Sequence, residues 1–217
     1  SPEFEALRKS HQTEPAPLHR AVTTGRRALG FCIGFVAIKA VVHWMLQTFI
    51  PAWLVATLHY PALDAYTITT LGLLTVAVLV PFMGYLSDRL GRKPLMLAGC
   101  LGLILVAWPA MKLMASGAVF PAVLGLLLVG LCIAAFDGAS NAAMAELFPT
   151  RVRYGSMAIA YNLAVAFFGG VTPWLLAWLP IVTGNPLSPA LYVMAAALIT
   201  LLTVLRARES AGLPLRA

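Results

Sequence analysis

Charged side chains are scarce in this chain. They make up 11% of its 217 residues, where a soluble domain carries about 25%. So few charges cannot cover a water-facing surface, which excludes an ordinary soluble fold. Disorder is excluded too, because 60% of the residues are hydrophobic and mean hydropathy is +0.86. Cysteine is rare: Cys32, Cys100 and Cys132 all lie inside apolar runs and read as small packing residues, not as a disulfide framework. The sequence has neither an H-E-x-x-H metal motif nor a G-x-S-x-G nucleophile elbow. No enzymatic activity, metal site or cofactor is therefore expected. A cleavable signal peptide is not evident, and an initiating Met is also missing. The chain opens on Ser1 and a polar stretch that runs to Gly25, which is expected to be the interior of a longer protein.

What the sequence does contain is six apolar stretches. They run about Ala28–Ile50, Tyr66–Leu86, Leu95–Met114, Val119–Met144, Tyr154–Leu179 and Ser188–Leu205. Each is long enough to cross about 30 Å of hydrocarbon as a helix rising about 1.5 Å per residue. The separators hold helix breakers: Pro51 and Pro61, Gly91 with Pro94, Gly117, Pro149 and Gly184-Asn185-Pro186. The expected fold is an all-α membrane protein, a bundle of six transmembrane helices.

The formal charge of +7 would suggest nucleic acid in a soluble protein. Here its distribution gives a different reason. Arg8, Lys9, Arg20, Arg26 and Arg27 precede the first span, and Arg89, Arg92 and Lys93 follow the second. Arg151 and Arg153 follow the fourth, and Arg206, Arg208 and Arg216 follow the sixth. These are thirteen of the fifteen basic residues, all on one side of the bundle; Lys112 is opposite and Lys39 lies within a span. Basic loops stay in the cytoplasm, so both termini are expected to be cytoplasmic. The expected partner is a lipid bilayer, not nucleic acid.

The loop after the second span reads Gly84-Tyr85-Leu86-Ser87-Asp88-Arg89-Leu90-Gly91-Arg92-Lys93. Gly84 permits close helix approach, Gly91 a tight reversal, and Asp88 can neutralise an arginine or face a helix N-terminus. The plain reading is a solvated basic loop. The ordered pattern, however, resembles the loop signature of the major facilitator superfamily. The segment Ala145-Glu146-Leu147-Phe148-Pro149-Thr150-Arg151-Val152-Arg153-Tyr154 is similar to a second cytoplasmic loop in the metabolite:proton symporter branch. Tyr161-Asn162 and Phe168-Gly169-Gly170-Val171-Thr172-Pro173 resemble the same branch, and Ser1-Pro2-Glu3-Phe4 resembles its central loop. The resemblance covers nearly the whole chain. It implies the C-terminal half of a twelve-helix fold in the bacterial inner membrane, with the N-terminal half as a missing partner. Residues 1–27 would be central loop, 28–205 the membrane bundle and 206–217 a cytoplasmic tail. Glu146 is expected to pair with Arg89 or Arg92 and Asp88 to face the start of the fifth span. Such contacts would latch the cytoplasmic side in one state of an alternating-access cycle.

Polar residues inside the spans are the candidate site. Lys39, His43 and Gln47 share one face of the first span at helical spacing. A charge at mid-membrane costs about 2.5–3.5 kcal/mol on insertion scales, so this face should meet protein or water. Asp137 is the one acid deep within a span, with Ser140 and Asn141 close behind it. Lys39 lies about 12 residues in from the cytoplasmic end and Asp137 about 9, a height difference of about 5 Å that an ion pair can bridge. The set reads either as a structural hydrogen-bond network or as a substrate and proton site, with His43 as donor or proton carrier. Ile38-Lys39 with Pro51, and Thr183-Gly184-Asn185 with Ser188-Pro189, resemble citrate and tricarballylate symporters. Asp137 departs from that pattern, which has an amide there. The resemblance implies proton-coupled symport of a small carboxylate. Alternatives are another organic acid, an osmolyte of the proline or betaine type, or a truncated product that transports nothing.

Overall fold

A computed structural model describes residues 26–148 and 153–209; the side chains of residues 26, 27, 153 and 154 lie outside that description. All regular structure among the described residues is helical. Helix α1 (Arg26–Trp44) passes through a π-helical turn (Met45–Phe49) into α2 (Ile50–Ala56). Then follow α3 (Ala62–Leu90), α4 (Arg92–Met114) and α5 (Val119–Glu146). Helix α6 (Arg153–Ala164) passes through a second π-turn (Val165–Gly169) into α7 (Gly170–Thr183), and α8 (Pro189–Arg206) is last. With α1–α2 and α6–α7 each counted once, six helices among the described residues are long and apolar enough to cross a membrane.

Helix α5 is central to the packing, with α4 along one side and α3 along another. Helix α8 packs on α4, α1 on α8, and α6 on α1, while α1 also reaches α5. The first span is the most enclosed of the six; the second and fifth keep most of their surface open. Lipid tails are as apolar as leucine, so helices in a bilayer gain little from hiding hydrophobic surface and rely on close backbone approach. The α3–α5 crossing shows this. A Cβ on Gly138 would lie 2.6 Å from the backbone nitrogen of Gly84 and 2.7 Å from the carbonyl carbon of Met83. Two helix backbones therefore touch with no side chain between them. Gly91, at φ 102°, makes the reversal from α3 into α4 that its sequence position predicts.

Most of the spans are longer than the apolar runs. The second begins at Ala62 instead of Tyr66 and ends at Leu90 instead of Leu86, because polar residues at each end continue the hydrogen-bond ladder. Pro51 does not end the first span, which continues to Ala56. A proline in a helix crowds the carbonyl of the fourth residue before it. For Pro51 that residue is Gln47, which lies in the wide π-turn. Pro173 is accommodated similarly: its crowded partner is Gly169, the last residue of the second π-turn.

The Gly138 crossing gives a test of opposite signs. Gly138→Ala should force the two backbones apart and cost about 1–3 kcal/mol. A Cβ on Gly84 would meet its nearest atom, the Gly138 carbonyl oxygen, at an ordinary 3.6 Å. Gly84→Ala should therefore be neutral, or stabilising by up to about 1 kcal/mol through helix propensity. Thermal unfolding of both variants in detergent measures the contrast; equal shifts would contradict the close crossing.

Candidate functional site

The first of two polar clusters lies inside the bundle, where α1 meets α5. The Lys39 ammonium donates a 2.6 Å hydrogen bond to Asn141 Oδ1 and stands 3.5 Å from Asp137 Oδ1. His43 Nε2 lies 3.3 Å from Asp137 Oδ2, and its Nδ1 lies 2.9 Å from the Lys39 carbonyl oxygen. Asp137 is almost wholly enclosed, with a side chain 4% exposed, against 14% for Lys39 and 30% for His43. Asp137 Oδ1 has ionic attraction from Lys39 but no aligned hydrogen bond. Four of the five residues expected here are thus brought together, and the long lysine chain spans the height difference.

Gln47 is not brought in. It is exposed and sits within the π-turn Met45–Phe49. A π-turn takes more residues per turn than an α-helix, so the regular spacing that put Gln47 under Lys39 and His43 fails there.

The local architecture explains why the cluster holds its position. Gly138, the residue after the carboxylate, is where α3 rests against α5, so Asp137 is carried on a turn held by close backbone contact. On the other side, the buried Thr200 hydroxyl of α8 donates to the Gly34 carbonyl at 2.8 Å. The same oxygen accepts from the Ile38 backbone N–H at 3.3 Å. Thr200 thus grips the turn of α1 that presents Lys39. Sequence reasoning missed it, because a lone threonine in an apolar run carries no distinguishing signal.

The second cluster lies at the end of the bundle where α3 turns into α4. Arg92 pairs with Asp88, donates to Ser87 Oγ at 2.8 Å and reaches Glu146 Oε1 of α5 at 3.3 Å. Of the two arginines expected to meet Glu146, Arg92 does so; Arg89 stacks over the Tyr85 ring at 4.6 Å. The Glu209 carboxylate accepts from the backbone N–H groups of Arg92 and Lys93, both at 3.0 Å. It thereby caps the N-terminus of α4. Lys93 Nζ donates to the Leu205 and Ala207 carbonyls, both at 2.9 Å, at the C-terminal end of α8. Glu209 was also missed; its only signal was an acid within a basic tail. Arg151 lies outside the described residues, as does the Arg153 side chain, and with it the expected contact of Asp88 with the start of the fifth span. These bonds join helices α3, α4, α5 and α8 at one end of the bundle. Among the described residues no group of three or more His, Cys, Asp or Glu is placed to hold a metal ion.

Both clusters generate tests. Lys39→Met would leave Asp137 buried without its cation. Breaking a buried pair from one side costs about 3–5 kcal/mol, whereas replacing both partners with apolar residues is often nearly neutral. Thermal unfolding should therefore show a larger loss for Lys39→Met than for Lys39→Met with Asp137→Leu; the reverse order would remove the pair from the account. At the basic end, Arg92→Ala should cost about 1–3 kcal/mol, since its hydrogen bonds to charged partners go. Arg89→Ala should stay within about 1 kcal/mol, the scale of an exposed cation–π contact. The same measurement ranks these two.

A family described as sugar (and other) transporter matches residues 1–217. A glycine betaine/proline/ectoine/pipecolic acid transporter of Dickeya dadantii is 36% identical over 190 residues, 88% of this chain and 38% of the relative. A proline/betaine transporter of Escherichia coli K12 is 35% identical over the same shares. An ectoine/proline transporter of Corynebacterium glutamicum is 31% identical over 189 residues, 87% of this chain and 38% of the relative. The chain thus spans 38% of the length of the relatives it matches. Their names are those of transporters, not enzymes, and they do not support the narrower resemblance to citrate and tricarballylate symporters. Six membrane-length helices and a family match along its whole length show that the chain belongs to the sugar (and other) transporter family, of the major facilitator type.

Proposed function

We propose that this chain supplies six helices of a proton-coupled symporter for a small zwitterionic solute of the proline or betaine type. The observation that carries the reading is the match of Lys39 with Asp137 at 3.5 Å. A citrate site needs cationic charge left over for the substrate. Here the one lysine inside the bundle already faces a carboxylate, so the pair as a whole is close to neutral. A site with one ammonium and one carboxylate complements a solute with one carboxylate and one ammonium. In the empty site each group answers the other; in the loaded site Lys39 takes the solute carboxylate, and the cation that the solute itself carries removes the need for a second basic residue. Relatives named for proline, betaine and ectoine agree with this choice.

The remaining parts of the reading follow from charge and length. The basic end, with Arg89, Arg92, Lys93, Arg206 and Arg208, is taken as cytoplasmic. Residues 28–205 act as one membrane bundle that meets a second set of helices across the face bearing Lys39. Transport then proceeds by alternating access around a fixed mid-membrane site.

The test uses the transporter that contains this chain, reconstituted in liposomes with an inward proton gradient. Labelled glycine betaine or proline should accumulate, while citrate should not. Unlabelled betaine should compete with proline for uptake. Accumulation of citrate without either zwitterion would overturn the reading in favour of the carboxylate symporter.

A further inference from the structure

The two nitrogens of His43 have different neighbours. Nδ1 lies 2.9 Å from the Lys39 carbonyl oxygen. A carbonyl only accepts, so Nδ1 must carry a hydrogen. A neutral imidazole protonated at Nδ1 presents a bare lone pair at Nε2. Yet Nε2 faces Asp137 Oδ2 at 3.3 Å, and an ionised carboxylate offers only lone pairs. The two atoms would repel at that distance, with Asp137 shielded from water. One proton removes the conflict. On Nε2 it makes an imidazolium that donates to the carboxylate; on Oδ2 it makes a carboxylic acid that donates to the ring.

We propose that His43 Nε2 and Asp137 Oδ2 share one dissociable proton, and that this is the proton coupled to solute movement. The second clause rests on the symport reading above. The step is a simple transfer. A proton from water on one side forms an N–H or O–H bond at the pair, and the same bond breaks to water on the other side. Lys39, His43 and Asp137 carry a net charge of zero without the proton and one positive charge with it. With the proton present, Asp137 is satisfied by His43, which releases Lys39 to receive a solute carboxylate. With the proton gone, Oδ2 has no donor in His43, and Lys39 is drawn to Asp137. Solute affinity therefore rises with proton occupancy, and by linkage the reverse holds too.

The surroundings leave this proton to these residues. Asn141, on the same helix as Asp137, is taken by the Lys39 ammonium. Helix α3 carries charge only at its ends, with Asp64 in the first turn and Asp88 and Arg89 at the close. Helix α4 likewise has Arg92 and Lys93 at its start and Lys112 in the last turn. Helix α6 has Arg153 at its first position, with Tyr154 and Tyr161 as its other titratable groups. Helix α8 has Tyr192 near its start and Arg206 in the last turn. Glu146 closes α5 and is engaged by Arg92 at the far basic end.

The experiment has a transport arm and a spectroscopic arm, both on the reconstituted transporter. His43→Gln keeps an N–H donor but cannot exchange a proton near neutral pH. It should lose accumulation driven by a proton gradient, while counterflow of labelled proline against internal unlabelled proline persists. Gradient-driven accumulation retained by His43→Gln would overturn the coupling role. If the variant loses counterflow as well, nitrogen-15 NMR of labelled histidine in the wild-type protein decides. The expected signature is an Nδ1 that stays protonated while Nε2 gains and loses its proton with pH, and Asp137→Asn should leave Nε2 bare. An Nε2–H tautomer with bare Nδ1, or no response to Asp137→Asn, would overturn the shared proton. Wild-type liposomes that move neither proline nor betaine would sink the symport reading, and the NMR arm would still decide the proton's place.

Discussion

Two opposite charges inside an apolar bundle set where its helices stand. Neither Lys39 nor Asp137 could be tolerated alone among the buried aliphatic side chains of α1 and α5. Their pairing fixes how both helices are rotated, because a carboxylate at 3.5 Å from an ammonium leaves little freedom in either. The apolar packing then serves that geometry. The glycine after Asp137 brings α3 against α5, and Thr200 of α8 grips the α1 turn before Lys39. Hydrophobic contacts fill the bundle, but they are non-directional and would accept other rotations; the charged pair would not.

The basic end is organised differently. Its bonds sit near water, where a single ion pair contributes about 0–1 kcal/mol. What makes Arg92 matter is that it serves several partners at once, Ser87 and Asp88 from α3 and Glu146 from α5. Lys93 and Glu209 add α8 to the same knot. Four helix ends are tied together by a short stretch of chain, so that stretch acts as the bundle's fastening.

The helices were legible in the sequence because a hydrocarbon layer demands long apolar runs and breaks between them. The charged positions were legible because a lone lysine and a lone aspartate in such runs have few tolerable partners. What escaped was register and long-range pairing. Gln47 belongs to the Lys39 face only if the helix is regular, and nothing in Met45-Leu46-Gln47-Thr48-Phe49 announces a π-turn. Pro51 looked like a stop for the same reason, since the sequence does not mark the wide turn that accommodates it. The Lys39–Asp137 pair was legible as a feasible contact, but the resemblance of Ile38-Lys39 and Thr183-Gly184-Asn185 to citrate symporters is not supported by the relatives, which are named for proline, betaine and ectoine. The structure then brings Asp137 Oδ1 to 3.5 Å from the ammonium.

The Glu209 contacts also bear on how the chain is made. They join residues 117 and 116 positions apart in sequence. Chains emerge N-terminus first, so α4 is synthesised well before the residue that caps it. Throughout that interval the first amides of α4 lack their carboxylate, and they gain it only when the last helix has been threaded into place. The cap is thus a closing stitch: a bundle missing its final helix lacks that contact at the same end where Arg92 gathers the others, which gives an unfinished chain a distinguishable, looser face.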